Sequence, residues 1–143
     1  MSSQACVDSN VVLKLAVIED GSDHARKLWR RWRAEGVEKV APALLWYELT
    51  STMRNRVHRN SIDPDEATIL LDTLLNLPIF VISSSRLHRA GWEIATRLNR
   101  PNAYDSHYLA VAEELDCPMW TADERFYNAA KGMFPRVHLL TSA

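Results

Sequence analysis

With 143 residues, 47% hydrophobic and 24% charged, the chain is long enough for one domain with a substantial core and short for two. Its 4 glycines and 6 prolines argue against a disordered or fibrous chain, and no uninterrupted apolar stretch approaches the roughly 18 residues of a membrane helix. A net charge of −1 excludes a generally basic protein.

In chain order, Ala5-Cys6-Val7 reads as a buried strand ending in the turn Asp8-Ser9-Asn10. A short helical stretch near 11–17 precedes a break at Asp20-Gly21-Ser22, where Ser22 or Asp23 is the expected cap of the next helix. That helix carries Ala25, Leu28, Trp29 and Trp32 on one stripe, which predicts core tryptophans. Residues 38–42 form a second strand, followed by a helix with Leu45, Leu49, Met53 and Val57 inward. Asp63 caps a helix that has Pro64 at its first position and buries Ala67, Leu70, Leu71 and Leu74.

The run 79–82 is a third strand, and Ser83 to Ser85 open a helix with Leu87, Gly91, Ile94 and Leu98 inward. Residues 103–115 are helical, with Tyr108, Ala112 and Leu115 on one face. Met119-Trp120-Thr121 is a fourth strand, 123–131 a short helix and 137–140 a last strand. Strands alternate with helices and no hairpin signal interrupts them. The pattern predicts an α/β sandwich around a mostly parallel sheet of about five strands, with 1–143 as one domain.

Of the 17 basic residues, only Lys14, Lys27, Lys39 and Lys131 are lysines. Arginine's planar fork suits phosphate oxygens, and the arginines concentrate around 26–33, 54–59 and 86–100. Solvated helix faces and a phosphate-binding surface both account for these runs.

Four acids stand out. Asp8 ends the first strand and Asp123 follows the fourth, where open α/β sheets place their sites. Each is also an ordinary turn or cap residue. Glu48 sits at the edge of an apolar helical stripe, and Asp105 lies in a first helical turn on the side of Tyr108. Glu93 shares a stripe with Arg86, Arg89, Arg97 and Arg100 and reads as their surface partner. Two carboxylates about 5 Å apart repel by roughly 3 kcal/mol at an effective dielectric near 20. If the four converge, they therefore need a cation or strongly raised pKa values. All-oxygen ligands favour Mg²⁺ or Mn²⁺ over Zn²⁺, and neither the five histidines nor the two cysteines have zinc spacing.

The blocks V-D-S-N, P-A-L-L-W-Y-E-L, A-Y-D-S-H-Y-L-A-V-A-E-E-L and P-M-W-T-A-D-E-R-F together resemble the PIN-domain ribonucleases, and in particular the VapC-type toxins of VapBC toxin–antitoxin pairs. The resemblance spans nearly the whole chain. It implies strand order 3-2-1-4-5 and an acidic quartet, Asp8, Glu48, Asp105 and Asp123, that binds one or two Mg²⁺ ions, with Mn²⁺ as substitute. Ser9 and Asn10 would orient Asp8, and Thr121 would support the site. Ser106 stands where a small apolar residue is common in the family. Metal-assisted hydrolysis of RNA phosphodiesters is the implied reaction, with Arg54, Arg56, Arg86 and Arg100 as candidate RNA contacts.

An antitoxin protein, docking on exposed Trp/Leu-rich helices, and a homodimer are the implied partners. Three other readings stand beside this one: a PIN nuclease of RNA processing, an inactive PIN-like binding module, and a phospho-acceptor signalling domain. The last lacks an Asp after the third strand and a Lys after the last. The opening MSSQACVDSN has no secretory signal character, so a cytoplasmic protein with reduced thiols is expected. Were Asp8 and Asp123 level on neighbouring strands, Cys6 and Cys117 would be offset by roughly 13 Å, too far for a disulfide.

Overall fold

Short apolar strands that alternate with amphipathic helices bury both faces of a parallel sheet, and the computed structural model, which describes residues 3–142, has this architecture. Strand β1 (Gln4–Val7) leads to α1 (Ser9–Leu13) and α2 (Ser22–Glu35), then β2 (Glu38–Pro42), α3 (Leu44–His58) and α4 (Pro64–Leu75). The chain continues through β3 (Ile79–Ile82), α5 (Ser85–Arg97), α6 (Tyr104–Leu115), β4 (Met119–Thr121), α7 (Glu124–Ala130) and β5 (Val137–Leu139), closing on a 3-10 turn, Leu140–Ser142.

The five strands lie in the order β3-β2-β1-β4-β5, and every neighbouring pair is parallel. From β1 the chain winds outward to β2 and β3, then returns past β1 to β4 and β5. The direction of winding reverses between β1 and β4, which opens a crevice at their carboxyl ends. A phospho-acceptor domain of the flavodoxin-like kind has order 2-1-3-4-5, so the observed order sets that reading aside.

Ala5, Cys6, Val7, Val40, Ala41, Met119 and Thr121 are all buried, side chains of both faces alike. Against them pack Leu28, Leu45, Leu49, Tyr108, Leu109 and Phe126. Trp29 and Trp32 are buried, and Trp32 meets Trp120 edge-on at 6.3 Å between ring centres. Val57, Leu70, Leu71 and Leu98 are only half-buried, because they lie at the margins of their stripes.

Several local expectations are corrected. The first helix starts at Ser9, directly after Asp8, and ends at Leu13. Neither Ser22 nor Asp23 caps α2: Gly21 does, at φ +88°. The Ser22 hydroxyl instead donates to the Val17 carbonyl (3.1 Å) and accepts the Glu19 N–H (3.0 Å). Among the described residues Glu93 has no ion pair, and Arg86 bonds Glu114 across to α6. The tryptophans of α2 are core, so the exposed apolar surface consists of other residues, including Tyr47, Ile69, Phe80 and Trp92.

Cys6 pairs in register with Met119, which shortens the expected cysteine offset from four residues to two. Both thiols are free, and Cys6 Sγ donates to the Tyr108 carbonyl at 3.2 Å. No described helix is long and apolar enough to cross a membrane.

The cap of α4 is formed as expected, Asp63 accepting the N–H groups of Asp65 (3.1 Å) and Glu66 (3.3 Å) ahead of Pro64. Asp63→Ala is expected to lower stability by about 1 kcal/mol, read from the midpoint of urea unfolding.

Candidate active site

The reversal between β1 and β4 sets Asp8 beside the end of β4. Val7 pairs with Trp120 and the Asp8 N–H bonds the Trp120 carbonyl (3.0 Å), so Asp8 stands opposite Thr121. Asp8 is 2% exposed, and a carboxylate that deep needs donors. Thr121 supplies one from its hydroxyl to Oδ2 (2.9 Å), and Asn10 Nδ2 approaches the same oxygen at 3.3 Å. Ser9 Oγ lies 3.4 Å from Oδ1. Asn10 also ties the two strand ends together, donating to Thr121 Oγ1 (3.3 Å) and accepting the Ala122 N–H (2.9 Å). The Thr121 hydroxyl accepts the Asp123 N–H (3.1 Å).

The other three acids come from helices. Asp123 caps α7, its Oδ1 accepting the N–H groups of Arg125 (2.9 Å) and Phe126 (3.1 Å). Asp105 sits in the first turn of α6, where the helix dipole favours an anion. Glu48 projects from α3, and the phenol of Tyr108 on α6 donates to its Oε1 at 2.5 Å.

The carboxylates share one electrostatic field. Burial first, then the charges of Asp105 and Glu48, push the Asp8 carboxyl well above the usual range, against the pull of Thr121 and the Ser9 N–H. Burial, followed by Asp123 and Glu48, raises Asp105 to about 6, and Arg100 opposes the rise. Burial and the charges of Asp8 and Glu48 hold the Tyr108 phenol protonated. Asp8 thus feels the charge of Asp105, and Glu48 acts on both.

Among the described residues no three Asp, Glu, His or Cys side chains stand close enough together to hold a metal ion between them as placed. The chemistry of the donor set nonetheless fits a hard divalent cation. Every donor is a carboxylate oxygen, and the shifts of Asp8 and Asp105, caused first by burial and then by the neighbouring carboxylates, are of the kind a bound cation would oppose. The cap uses only Oδ1 of Asp123 and Tyr108 only Oε1 of Glu48, which leaves one oxygen of each open.

The four arginines separate. Arg56 is salt-bridged to Glu19 (3.0 Å) in a cleft that also contains Ser9 and Asn10. Arg100 lies over the Phe126 ring at 5.9 Å and acts electrostatically on Asp105. Arg54 instead lines a groove between α3 and α4, and Arg86 is paired with Glu114. Two features escape a reading of the sequence. Tyr108 reads as plain core, although its position one turn after Asp105 was a signal for the site. The contacts of Lys14 and Arg56 with Glu19 join separate segments and leave no local mark.

This fold, with acids at the ends of β1 and β4, defines a class. The chain belongs to the PIN domain family, which matches residues 5–132. Among its relatives are VapC ribonuclease Mb0985 of Mycobacterium bovis and ribonuclease VapC9 of Mycobacterium tuberculosis, each 30% identical over 129 residues, or 90% of this chain and 93% of the relative. Among solved structures, PAE2754 from Pyrobaculum aerophilum is similar in fold, with TM-score 0.71, 20% identity, and coverage of 99% of this chain and 94% of that one. A chain of VapBC2 from Rickettsia felis, crystallised with a DNA fragment from the promoter, aligns with TM-score 0.67 and 14% identity over 95% of this chain and 96% of that one.

Raised carboxyl pKa values make the native state bind more protons than the unfolded state between the ordinary carboxylate range and about pH 6. Their contribution is complete below that range and is lost as pH rises through the native values. In EDTA the melting temperature is thus expected to carry a falling contribution from these groups as pH rises from 4 to 7. Asp105→Asn, which removes the charge, is expected to stabilise the metal-free protein at pH 8 by about 1 kcal/mol, allowing for solvent screening of a half-buried group.

Proposed function

We propose that this protein is a metal-dependent endoribonuclease that hydrolyses RNA phosphodiester bonds, working as the toxin of a type II toxin–antitoxin pair. The observation that carries this reading is the convergence of Asp8, Glu48, Asp105 and Asp123 from β1, α3, α6 and the α7 cap into one field. The VapC ribonucleases among its relatives support it. Residues 1–143 act as one nuclease domain in the cytoplasm. A small antitoxin is the cognate partner, the VapBC2 structure supplying the analogy, and a homodimer is the expected assembly.

In this reading Asp8 and Asp105 hold Mg²⁺ or Mn²⁺ directly, while Glu48 and Asp123 hold a second ion or its waters. The ion supplies Lewis acidity toward water and phosphate oxygens. The chain's own residues set the geometry. Thr121 and Asn10 fix Asp8 Oδ2, and Ser9 approaches the carboxylate through its hydroxyl, 3.4 Å from Oδ1, and its N–H. Tyr108 holds one oxygen of Glu48 and leaves the other without a hydrogen bond from it. Arg100, beside Asp105, offsets part of the repulsion between the acids and an incoming polyanion; Arg54 and Arg86 lie on surfaces that longer RNA would reach.

Purified protein is expected to cleave single-stranded RNA with Mg²⁺ or Mn²⁺ and to stop in EDTA. Asp8→Ala should lose at least 1,000-fold in rate, on the order expected when a transition-state charge is no longer offset. Mn²⁺ should raise the melting temperature of the parent at pH 8 and leave that of Asp8→Ala nearly unchanged. Full activity of Asp8→Ala or of the EDTA-treated protein would overturn the nuclease reading. Expressed alone, the chain should arrest growth, whereas Asp8→Ala should not; unaffected growth would count against the toxin role.

A further inference from the structure

Beside the carboxylates lies a cleft of about 220 Å³ bounded by Ser9, Asn10, Lys14, Glu19, Thr52 and Arg56. Its charges are partly shielded, the side chains of Lys14, Glu19 and Arg56 being 14%, 25% and 29% exposed. One Glu19 oxygen takes the Lys14 ammonium (3.3 Å), and Arg56 Nη2 reaches both (3.0 and 3.4 Å). Two cations against one anion leave the cleft net positive within an otherwise acidic site. Arg56 Nε and Nη1 and the rest of the Lys14 ammonium make no other hydrogen bond among the described residues, so donors remain for an anion.

The arrangement is built rather than incidental. Gly21, at φ +88°, lies against the Lys14 stem so closely that a Cβ there would come within 3.2 Å of Lys14 Cδ and Cε. On α3, Glu48, Thr52 and Arg56 follow at i, i+4 and i+8, along one helix face. Two turns separate Glu48 from Arg56, roughly 12 Å along the axis. A phosphate gripped by these cations would therefore be a different one from a phosphate at the carboxylates.

We infer that Lys14 and Arg56, held in place by Glu19, form a phosphate subsite that grips a neighbouring RNA phosphate and so positions the strand for cleavage. This rests on the ribonuclease reading and extends it to named residues that orient the substrate. A forked guanidinium and a point-charge ammonium, both prealigned, suit the oxygens of one phosphodiester. The competing account is that Glu19 merely staples the segment between α1 and α2 to α3.

Salt dependence separates the two accounts, because only a cation that touches phosphate contributes to the slope of log Kd against log salt. The probe is a fluorescein-labelled single-stranded RNA 12-mer, followed by anisotropy in Ca²⁺. Arg56→Ala and Lys14→Ala are each expected to weaken binding about tenfold at 0.1 M salt and to lower the slope by about 0.7. Arg56→Lys, which keeps the charge, should retain the slope even if the alanine variant folds poorly. Glu19→Gln should bind several-fold more tightly at low salt, whereas loss of a mere staple would not tighten binding.

Unchanged slopes in Arg56→Ala and Lys14→Ala would overturn the subsite, whether or not the protein cleaves RNA. A parent that binds the 12-mer with the expected slopes, yet cleaves no RNA in Mg²⁺ or Mn²⁺, would support the subsite and remove the nuclease reading. Absence of binding by the parent would overturn both.

Discussion

Asp8 feels the charges of Asp105 and Glu48, and Asp105 those of Asp123 and Glu48, and much of the local structure accommodates that repulsion. Two carboxylates about 5 Å apart would repel by about 3 kcal/mol at intermediate dielectric, a sizeable part of the roughly 5–15 kcal/mol by which a domain is stable. The fold meets it with donors and geometry. Asp8 receives Thr121 and Asn10, Glu48 receives Tyr108, and Asp123 receives two N–H groups of α7. Asp105 takes the favourable end of α6. Burial first, and then the charge these contacts leave uncompensated, raises the pKa values of Asp8 and Asp105; under the proposed function a divalent cation would offset that charge.

The sheet makes the gathering possible. Parallel strands bring all their carboxyl ends to one edge, and the reversal of winding between β1 and β4 parts the helices there. The buried core beneath, from Cys6 and Val7 to Leu109, Met119 and Phe126, anchors the strand ends, so the polar network above them stands on rigid backbone. Charge is distributed around this centre with opposite sign: Arg100 on one side, Lys14 and Arg56 on another. Under the proposed function such flanks would be needed, because the acids alone would repel a polyanion.

The fold was largely legible in the sequence because its signals are local. The runs 38–42, 79–82 and 119–121 are strands as read, Asp63-Pro64 starts a helix as read, and the stripe from Ala25 to Trp32 faces the core. The misreadings arose where tertiary contacts override local preference. Ser22 looks like a cap, but its hydroxyl is drawn to Val17 and Glu19. The cysteine offset was misjudged because register between β1 and β4, separated by more than a hundred residues, is set by packing.

Along the chain, the sequence by itself determined the order and type of the elements, the apolar stripes and the presence of acids near strand and helix ends, since periodicity and capping act over a few residues. Only the tertiary structure decided that Tyr108 meets Glu48, that Asn10 bridges to Thr121, and that Glu19 joins Lys14 to Arg56. Most of these partners are tens of residues apart. Their meeting depends on how whole helices and strands pack, and hydrophobic burial sets that packing without regard to the polar groups it brings together.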